Sequence, residues 1–135
     1  MDNVLALTFP AGKILYSTRQ TKAMTVGADT VTLTVPAGKF WLLHWAVLLN
    51  ASTVQIACSV DVYDGTNLLI PLGAENVANN QYLVVPYKEG TQDTDRLGQG
   101  AFPVLLVAGQ EIRIGFGADA GKSGNSYWFA MIREL

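Results

Sequence analysis

Apolar and polar residues alternate with a period of two along most of the chain, and the sequence shows no helical stripe of apolar positions. Residues 30–35, Thr-Val-Thr-Leu-Thr-Val, place valine and leucine on one side and threonine on the other. Residues 55–62 and 111–116 alternate in the same way. This alternation predicts strands that turn one face to a core and the other to solvent.

Further strands are predicted where apolar runs lie between segments rich in glycine, asparagine and aspartate. These runs are residues 4–9, 13–17, 40–49, 68–72, 81–87, 102–107 and 126–133. About eight to ten short antiparallel strands predict an all-β fold, a β-sandwich that resembles a jelly roll. We expect the sandwich domain to cover residues 30–135. Residues 1–29 are expected to form an N-terminal hairpin or arm, with residues 16–29 as its connector to the sandwich.

One predicted strand, residues 40–49, is apolar on both faces. Strict alternation places Trp41 and Trp45 on one face and His44 on the other. One face can fill the core of a sandwich, and the second then needs another cover. An N-terminal arm, a loop or a neighbouring subunit could supply it.

Composition strengthens the expectation of a partner. Of the 135 residues, 50% are hydrophobic and only 15% are charged, whereas a typical soluble domain is about one-quarter charged. The net charge of −2 excludes the basic surface by which proteins bind nucleic acid. The surplus of apolar residues predicts a homo-oligomer.

The charge-free segment 40–60 is long enough to cross a bilayer. His44 and the polar cluster Asn50-Ala51-Ser52-Thr53 divide it, so we predict two strands joined by a turn and no membrane span. The same cluster matches a glycosylation acceptor and is interpreted as that turn. Residues 1–9 lack the basic start of a signal peptide, so a soluble intracellular product, made in the cytoplasm, is expected.

Residues for catalysis, cofactor binding or metal binding are not predicted. The single histidine, His44, lies within an apolar strand, and the single cysteine, Cys58, alternates with buried positions. Residues 115–123 approach a phosphate-binding loop, but the pattern requires glycine where Phe116 stands. We therefore expect this segment to be a solvated hairpin loop. Asp93 and Asp95 have calcium-like spacing without the further ligands of such a site. An enzyme is not expected, although eleven acidic residues leave room for an unrecognised carboxylate pair.

Two kinds of interaction surface stay open. The first is a subunit or lattice contact. Its candidate residues are Trp41, His44 and Trp45 of the two-sided apolar strand, and five residues of the long polar segment 88–100, namely Lys88, Glu89, Asp93, Asp95 and Arg96. Aromatic residues could alternatively form a sugar-stacking platform, with Tyr82, Tyr87 and Trp128 as candidates. Subunit interfaces are favoured, because aromatic side chains are enriched there without any ligand.

Several turn-and-strand elements carry a resemblance to a known class of proteins. They are Val35-Pro36-Ala37-Gly38-Lys39 with Phe40-Trp41 after it, the run from Phe102-Pro103 to Arg113-Ile114, and a last strand ending at Arg133-Glu134-Leu135. Together they resemble small β-sandwich structural proteins of tailed bacteriophages, over most of residues 30–135.

The resemblance implies a non-enzymatic virion component, often a homotrimer. Without a shaft repeat or coiled coil, a capsid decoration protein is favoured. Such a protein would bind the outside of the major capsid protein lattice and stabilise the capsid. The alternative is a receptor- or carbohydrate-binding module of a tail or baseplate appendage.

Overall fold

In the computed structural model, residues 12–86 and 102–135 are described, and every regular element in these two ranges is a β-strand. The strands are β1 Lys13–Leu15, β2 Gln20–Ala23, β3 Asp29–Thr34, β4 Phe40–Asn50, β5 Ile56–Asp64, β6 Asn67–Val77, β7 Gln81–Val85, β8 Val104–Val107, β9 Gln110–Phe116 and β10 Asn125–Glu134. The predicted all-β class is confirmed. No helix in this part of the chain has the length and apolarity to cross a membrane.

The strands form two antiparallel sheets that pack against each other. In the six-stranded sheet, β4 and β10 lie at the centre. The short strands β1 and β2 pair with successive parts of β10, and β7 and β8 pair with the two halves of β4. This sheet is therefore four rows wide. The second sheet has four strands in the order β3-β9-β5-β6.

The chain passes from one sheet to the other at almost every connection between rows. The hairpin of β5 and β6 is the exception, since both strands belong to the four-stranded sheet. The row order β1/β2, β10, β4, β7/β8 over β3, β9, β5, β6 is that of a jelly roll, with two interlocked Greek keys. The fold thus agrees with the predicted sandwich.

The hydrophobic core lies between the sheets and is built from one face of each central strand. Its fully buried members include Leu43, Ala46 and Leu48 of β4, Val60 of β5, Ile112 and Ile114 of β9, and Ala130 and Ile132 of β10. Alternate residues on these strands point away from the core. These residues form the outer faces of the two sheets.

The structure differs from the predicted organisation in the N-terminal part. Residues 16–29 were expected to be a connector, but β2 lies there and pairs with β10. Because β1 pairs with the same strand, the described part of residues 1–29 belongs to the sandwich and is not a separate arm. The polar sequence of β2, Gln-Thr-Lys-Ala, lacks the apolar alternation that predicts a strand. The predicted strand 4–9 lies outside the described residues.

Candidate functional site

The outer surface of the six-stranded sheet is apolar across its whole width. Six large hydrophobic side chains there are between 41% and 55% exposed, namely Ile14, Phe40, Tyr82, Val84, Leu105 and Val107. Half-buried apolar residues lie among them: Leu42, Trp45, Val47, Leu49, Tyr127, Phe129 and Met131. We call these thirteen residues the apolar face. Soluble monomers rarely expose a contiguous apolar patch larger than a few hundred Å².

Strand register places these side chains side by side. Val47 of β4 lies between Phe129 of β10 and Val84 of β7. The neighbouring row consists of Tyr127, Leu49 and Tyr82. Cross-strand neighbours on one face are close enough for their side chains to touch. The apolar face is therefore one continuous surface.

A β-bulge in β4 sets which residues join this face. Leu43 pairs with Ile132 and Trp45 pairs with Met131, so His44 is an extra residue opposite β10. The insertion reverses the alternation of all later residues in the strand. Ala46 is consequently buried in the core, and Trp45 lies on the outer side with its ring 5.6 Å from that of Phe129.

The few polar groups on this surface lie beside the bulge and near its ends. Burial lowers the pKa of His44 below its usual 6.5, and the positive charge of nearby Arg133 lowers it further. His44 is therefore neutral at neutral pH. Toward the other end, the guanidinium of Arg19 stacks 3.8 Å from the ring centroid of Tyr127.

The outer face of the four-stranded sheet has the opposite character. Thr30, Thr32 and Thr34 of β3 are all exposed on it. Arg113 forms an ion pair of 2.7 Å with Glu111 and stacks 3.9 Å from the ring centroid of Tyr63. Apart from Leu68, which is the register partner of Tyr63 and 50% exposed, this face is mostly polar. The two outer surfaces of the sandwich thus differ in character, one apolar and one mostly polar.

A shallow depression of about 510 Å³ lies on this polar face. Small residues line most of it, among them Ala57, Ser59, Gly115 and Gly117. A side chain at Gly115 would place its Cβ 2.7 Å from the Ser59 Oγ atom, so glycine keeps the floor open. The lining contains no cluster of charged groups that would define a ligand.

The segment that approaches a phosphate-binding loop has a structural role. The Lys122 side chain is fully buried and lies 2.8 Å from the carboxylate of Asp29. Its ammonium also donates hydrogen bonds to the carbonyl oxygens of Gly27, Phe116 and Gly117. Since these partners occupy the ammonium, Lys122 cannot hold a phosphate. The segment was expected to be a solvated hairpin loop; it instead crosses between the sheets and is anchored by this lysine.

The polar segment 50–53 forms a turn that is held in place by hydrogen bonds of the Asn50 side chain. Asn50 is fully buried, and its amide donates to the carbonyl oxygens of Val54 and Val77 at 2.8 and 2.7 Å. Its side-chain oxygen accepts hydrogen bonds from the backbone and hydroxyl of Ser52. The amide nitrogen is therefore not accessible to a glycosyl transfer enzyme in the folded protein.

Cys58 is buried in the core, where burial raises the pKa of its thiol to about 12. A thiol with so high a pKa is not a nucleophile at neutral pH. Across residues 12–86 and 102–135, there is no group of three or more His, Cys, Asp or Glu residues placed to hold a metal ion.

The residues predicted for an interface divide between core and surface. Trp45 lies on the outer side of the six-stranded sheet, and His44 is the half-buried extra residue of the bulge beside it. Trp41 is only 2% exposed and belongs to the core. Trp41 donates a hydrogen bond of 2.9 Å from Nε1 to Glu134, which fixes the indole inside. The other interface candidates lie outside the described residues: Lys88, Glu89, Asp93, Asp95 and Arg96.

The predicted sugar platform does not form from the residues proposed for it. Tyr82 is exposed on the apolar face, but Trp128 is 5% exposed on the core side of β10. The Trp128 ring packs against Tyr16, with ring centroids 5.3 Å apart. The third candidate, Tyr87, lies outside the described residues. Trp128 is therefore a core residue and unavailable to a ligand.

Sequence reasoning missed several members of the apolar face, among them Val84, Leu105 and Val107. The signal was present, because strands β7 and β8 have apolar residues at adjacent positions and so on both faces. No protein-family model matches the chain, and comparison with curated proteins and with solved structures gives no match either. Function is therefore inferred from the chain's own fold and surfaces.

Proposed function

We propose that this chain is a non-enzymatic structural subunit of a virion, a capsid decoration protein that assembles with its own copies on a bacteriophage shell. The observation that carries the proposal is the apolar face on one side of a jelly-roll sandwich. The sequence elements that resemble small phage structural proteins supply the virion context.

The size of the apolar face supports an assembly role. An aromatic side chain covers on the order of 150–250 Å², and an aliphatic one covers less. The six side chains, of which Phe40 and Tyr82 are aromatic, are about half exposed and so leave roughly 400–500 Å² open. The half-buried members raise this area toward the roughly 800 Å² per partner that a stable interface buries. A surface of this kind is covered in a working protein, because left open it promotes aggregation.

The buried ionisable groups also support a structural role. Asp29 and Lys122 neutralise each other and hold together the loop before β3 and the loop after β9. Their arrangement stabilises one end of the sandwich and leaves neither group open to a substrate. Rigid, closed loops of this kind suit a subunit that resists mechanical load.

A capsid decoration protein needs a second surface that binds the shell, in addition to the surface by which its own copies associate. The polar face of the four-stranded sheet, with its threonines and the Arg113–Glu111 pair, is available once the apolar face is covered. Weak contacts to the shell become effective when one oligomer makes several of them at once.

The test is quantitative mass spectrometry of purified particles, counting this chain against the major capsid protein. A ratio near one copy per shell subunit, or a simple fraction of it, is expected for decoration. A few copies per particle would instead indicate a tail or vertex appendage. Failure to find the chain in any particle would overturn the virion proposal.

A further inference from the structure

We infer that the apolar face is the contact between two copies of this chain, packed face to face about a two-fold axis. The inference rests on the proposed function and deepens it by naming the partner that this face meets. It also differs from the trimer that the family resemblance implies.

The first argument is complementarity of surface character. On the described part of the molecule, the outer face of the four-stranded sheet presents Thr30, Thr32 and Thr34 together with the Arg113–Glu111 pair. Among the described residues, the exposed large hydrophobic side chains outside the apolar face are Val26, Leu68 and Leu69. The same face of another copy is therefore the most extensive surface of matching apolar character. A contact between identical surfaces is isologous and produces a closed two-fold dimer.

The second argument is the distribution of charge on the face. Its centre, around Val47 and Phe129, consists of apolar side chains, and Trp45 packs there edge-on to Phe129. The described cations on this surface are Arg133, which lies between Ile14 and Leu42, and Arg19, which stacks on Tyr127. An interface core is poor in charged residues but enriched in aromatic residues and arginine, and this surface has that composition.

The third argument concerns availability of the partner. Interfaces of obligate homodimers are more apolar than those of partners that meet only transiently. A face of this area must be covered as soon as the chain folds, and copies of the same chain are present at that moment. The shell lattice would be met later, through the surfaces that the dimer leaves exposed.

The experiment measures the mass of the full chain by size-exclusion chromatography with light scattering at micromolar concentration. The unmodified protein is expected to be a dimer. Val84→Lys places a charge within the apolar face at an exposed edge-strand position and is expected to raise the dissociation constant about 100-fold or more. Thr32→Lys is the matched control, since Thr32 is an exposed strand residue on the polar face, and it is expected to remain a dimer.

Circular dichroism of each variant confirms that the fold is kept, and Leu105→Lys repeats the test at the other end of the face. A monomeric unmodified protein, a trimer, or a Val84→Lys variant that associates as strongly as the control would overturn the inference. If a monomer still copurifies with particles, the inference fails and the proposed function stands. If a dimer occurs in no particle, the proposed function fails and the inference stands.

Discussion

Trp41 and Trp45 lie four residues apart on one strand, yet their rings lie on opposite sides of the six-stranded sheet. Trp41 is buried against Tyr16 and Glu134 in the core, whereas Trp45 packs edge-on to Phe129 on the outer surface. Simple alternation would place both indoles on the same side. The extra residue His44 reverses the alternation between them.

Replacing each tryptophan separately distinguishes a contribution to folding stability from a contribution to the outer surface. Trp41→Ala removes a buried ring and its hydrogen bond to Glu134, so it is expected to lower the free energy of unfolding by about 3–5 kcal/mol. Trp45→Ala removes a half-exposed ring and is expected to cost the isolated chain about 1 kcal/mol, with a larger effect on association. Urea denaturation at low protein concentration measures both values. Equal costs would contradict the opposite placement of the two rings.

The single histidine is expected to make stability depend on pH. The pKa of His44 is lowered in the folded chain, so the unfolded chain takes up a proton first as the pH falls below about 6.5. Protonation then favours unfolding, and stability decreases until the pH passes the lower folded pKa. The urea midpoint should therefore drop between neutral pH and about pH 5, and His44→Gln should flatten this dependence. An unchanged slope in His44→Gln would mean that another group causes it.

Removing the buried lysine is expected to be costly. Lys122→Met leaves the Asp29 carboxylate without its cation in a buried site, and a loss of about 3–5 kcal/mol in unfolding free energy is expected. Lys39→Met is the control, because Lys39 is exposed in the turn before β4, and a change within about 0.5 kcal/mol is expected there. Similar stabilities of the two variants in urea would refute the role given to Lys122.

The Asp29 carboxylate, which pairs with Lys122, is expected to cause a second loss of stability at a lower pH than the loss caused by His44. Burial raises the pKa of Asp29, but hydrogen bonds from Lys122 and Thr25 outweigh it, and the net pKa lies below 3.8. The stabilisation is present above that value and is lost as the pH falls through the lower folded pKa. Acid unfolding followed by circular dichroism should show this loss in the unmodified chain and not in Asp29→Asn. Identical acid unfolding curves would assign the transition elsewhere.

The Asn50 turn is expected to be essential for stability. Asn50→Ala removes four hydrogen bonds inside the protein. The buried Val77 carbonyl oxygen and Ser52 amide lose these partners, so a loss of about 2–4 kcal/mol is expected. Asn125→Ala, at an exposed position that begins β10, should change little. Thermal unfolding compares the two, and a mild effect of Asn50→Ala would show that water replaces its contacts.

Period-two alternation predicted the strands that lie across the core, including β3, β5 and β9, because burial of one face imposes that pattern on their sequences. It failed for β2, whose four residues obtain their strand conformation from pairing with β10. It also failed within β4, since a bulge depends on the partner strand and leaves no mark in local composition.

The sequence predicted that an apolar outer surface exists, but it did not predict most of the residues that form it. The low charge of the chain and the two-sided apolar strand indicated that a second surface needs a cover. Which residues form it depended on the strands that lie beside β4, and the sequence could not reveal that Val84 and Leu105 flank its two halves. The role of Lys122 was equally hidden, because its partner Asp29 is distant in sequence and meets it only through the crossing loops.

Hydroxyl-radical footprinting of the native preparation, read out by mass spectrometry, tests the central claim that the apolar face is covered in the working protein. Tyr82, Phe40 and Leu105, which are about half exposed in the single chain, are expected to be protected at high concentration. Dilution or the Val84→Lys substitution should restore their reactivity, while Tyr63 on the polar face should react alike throughout. Full reactivity of Tyr82, Phe40 and Leu105 at every concentration and on particles would contradict the claim.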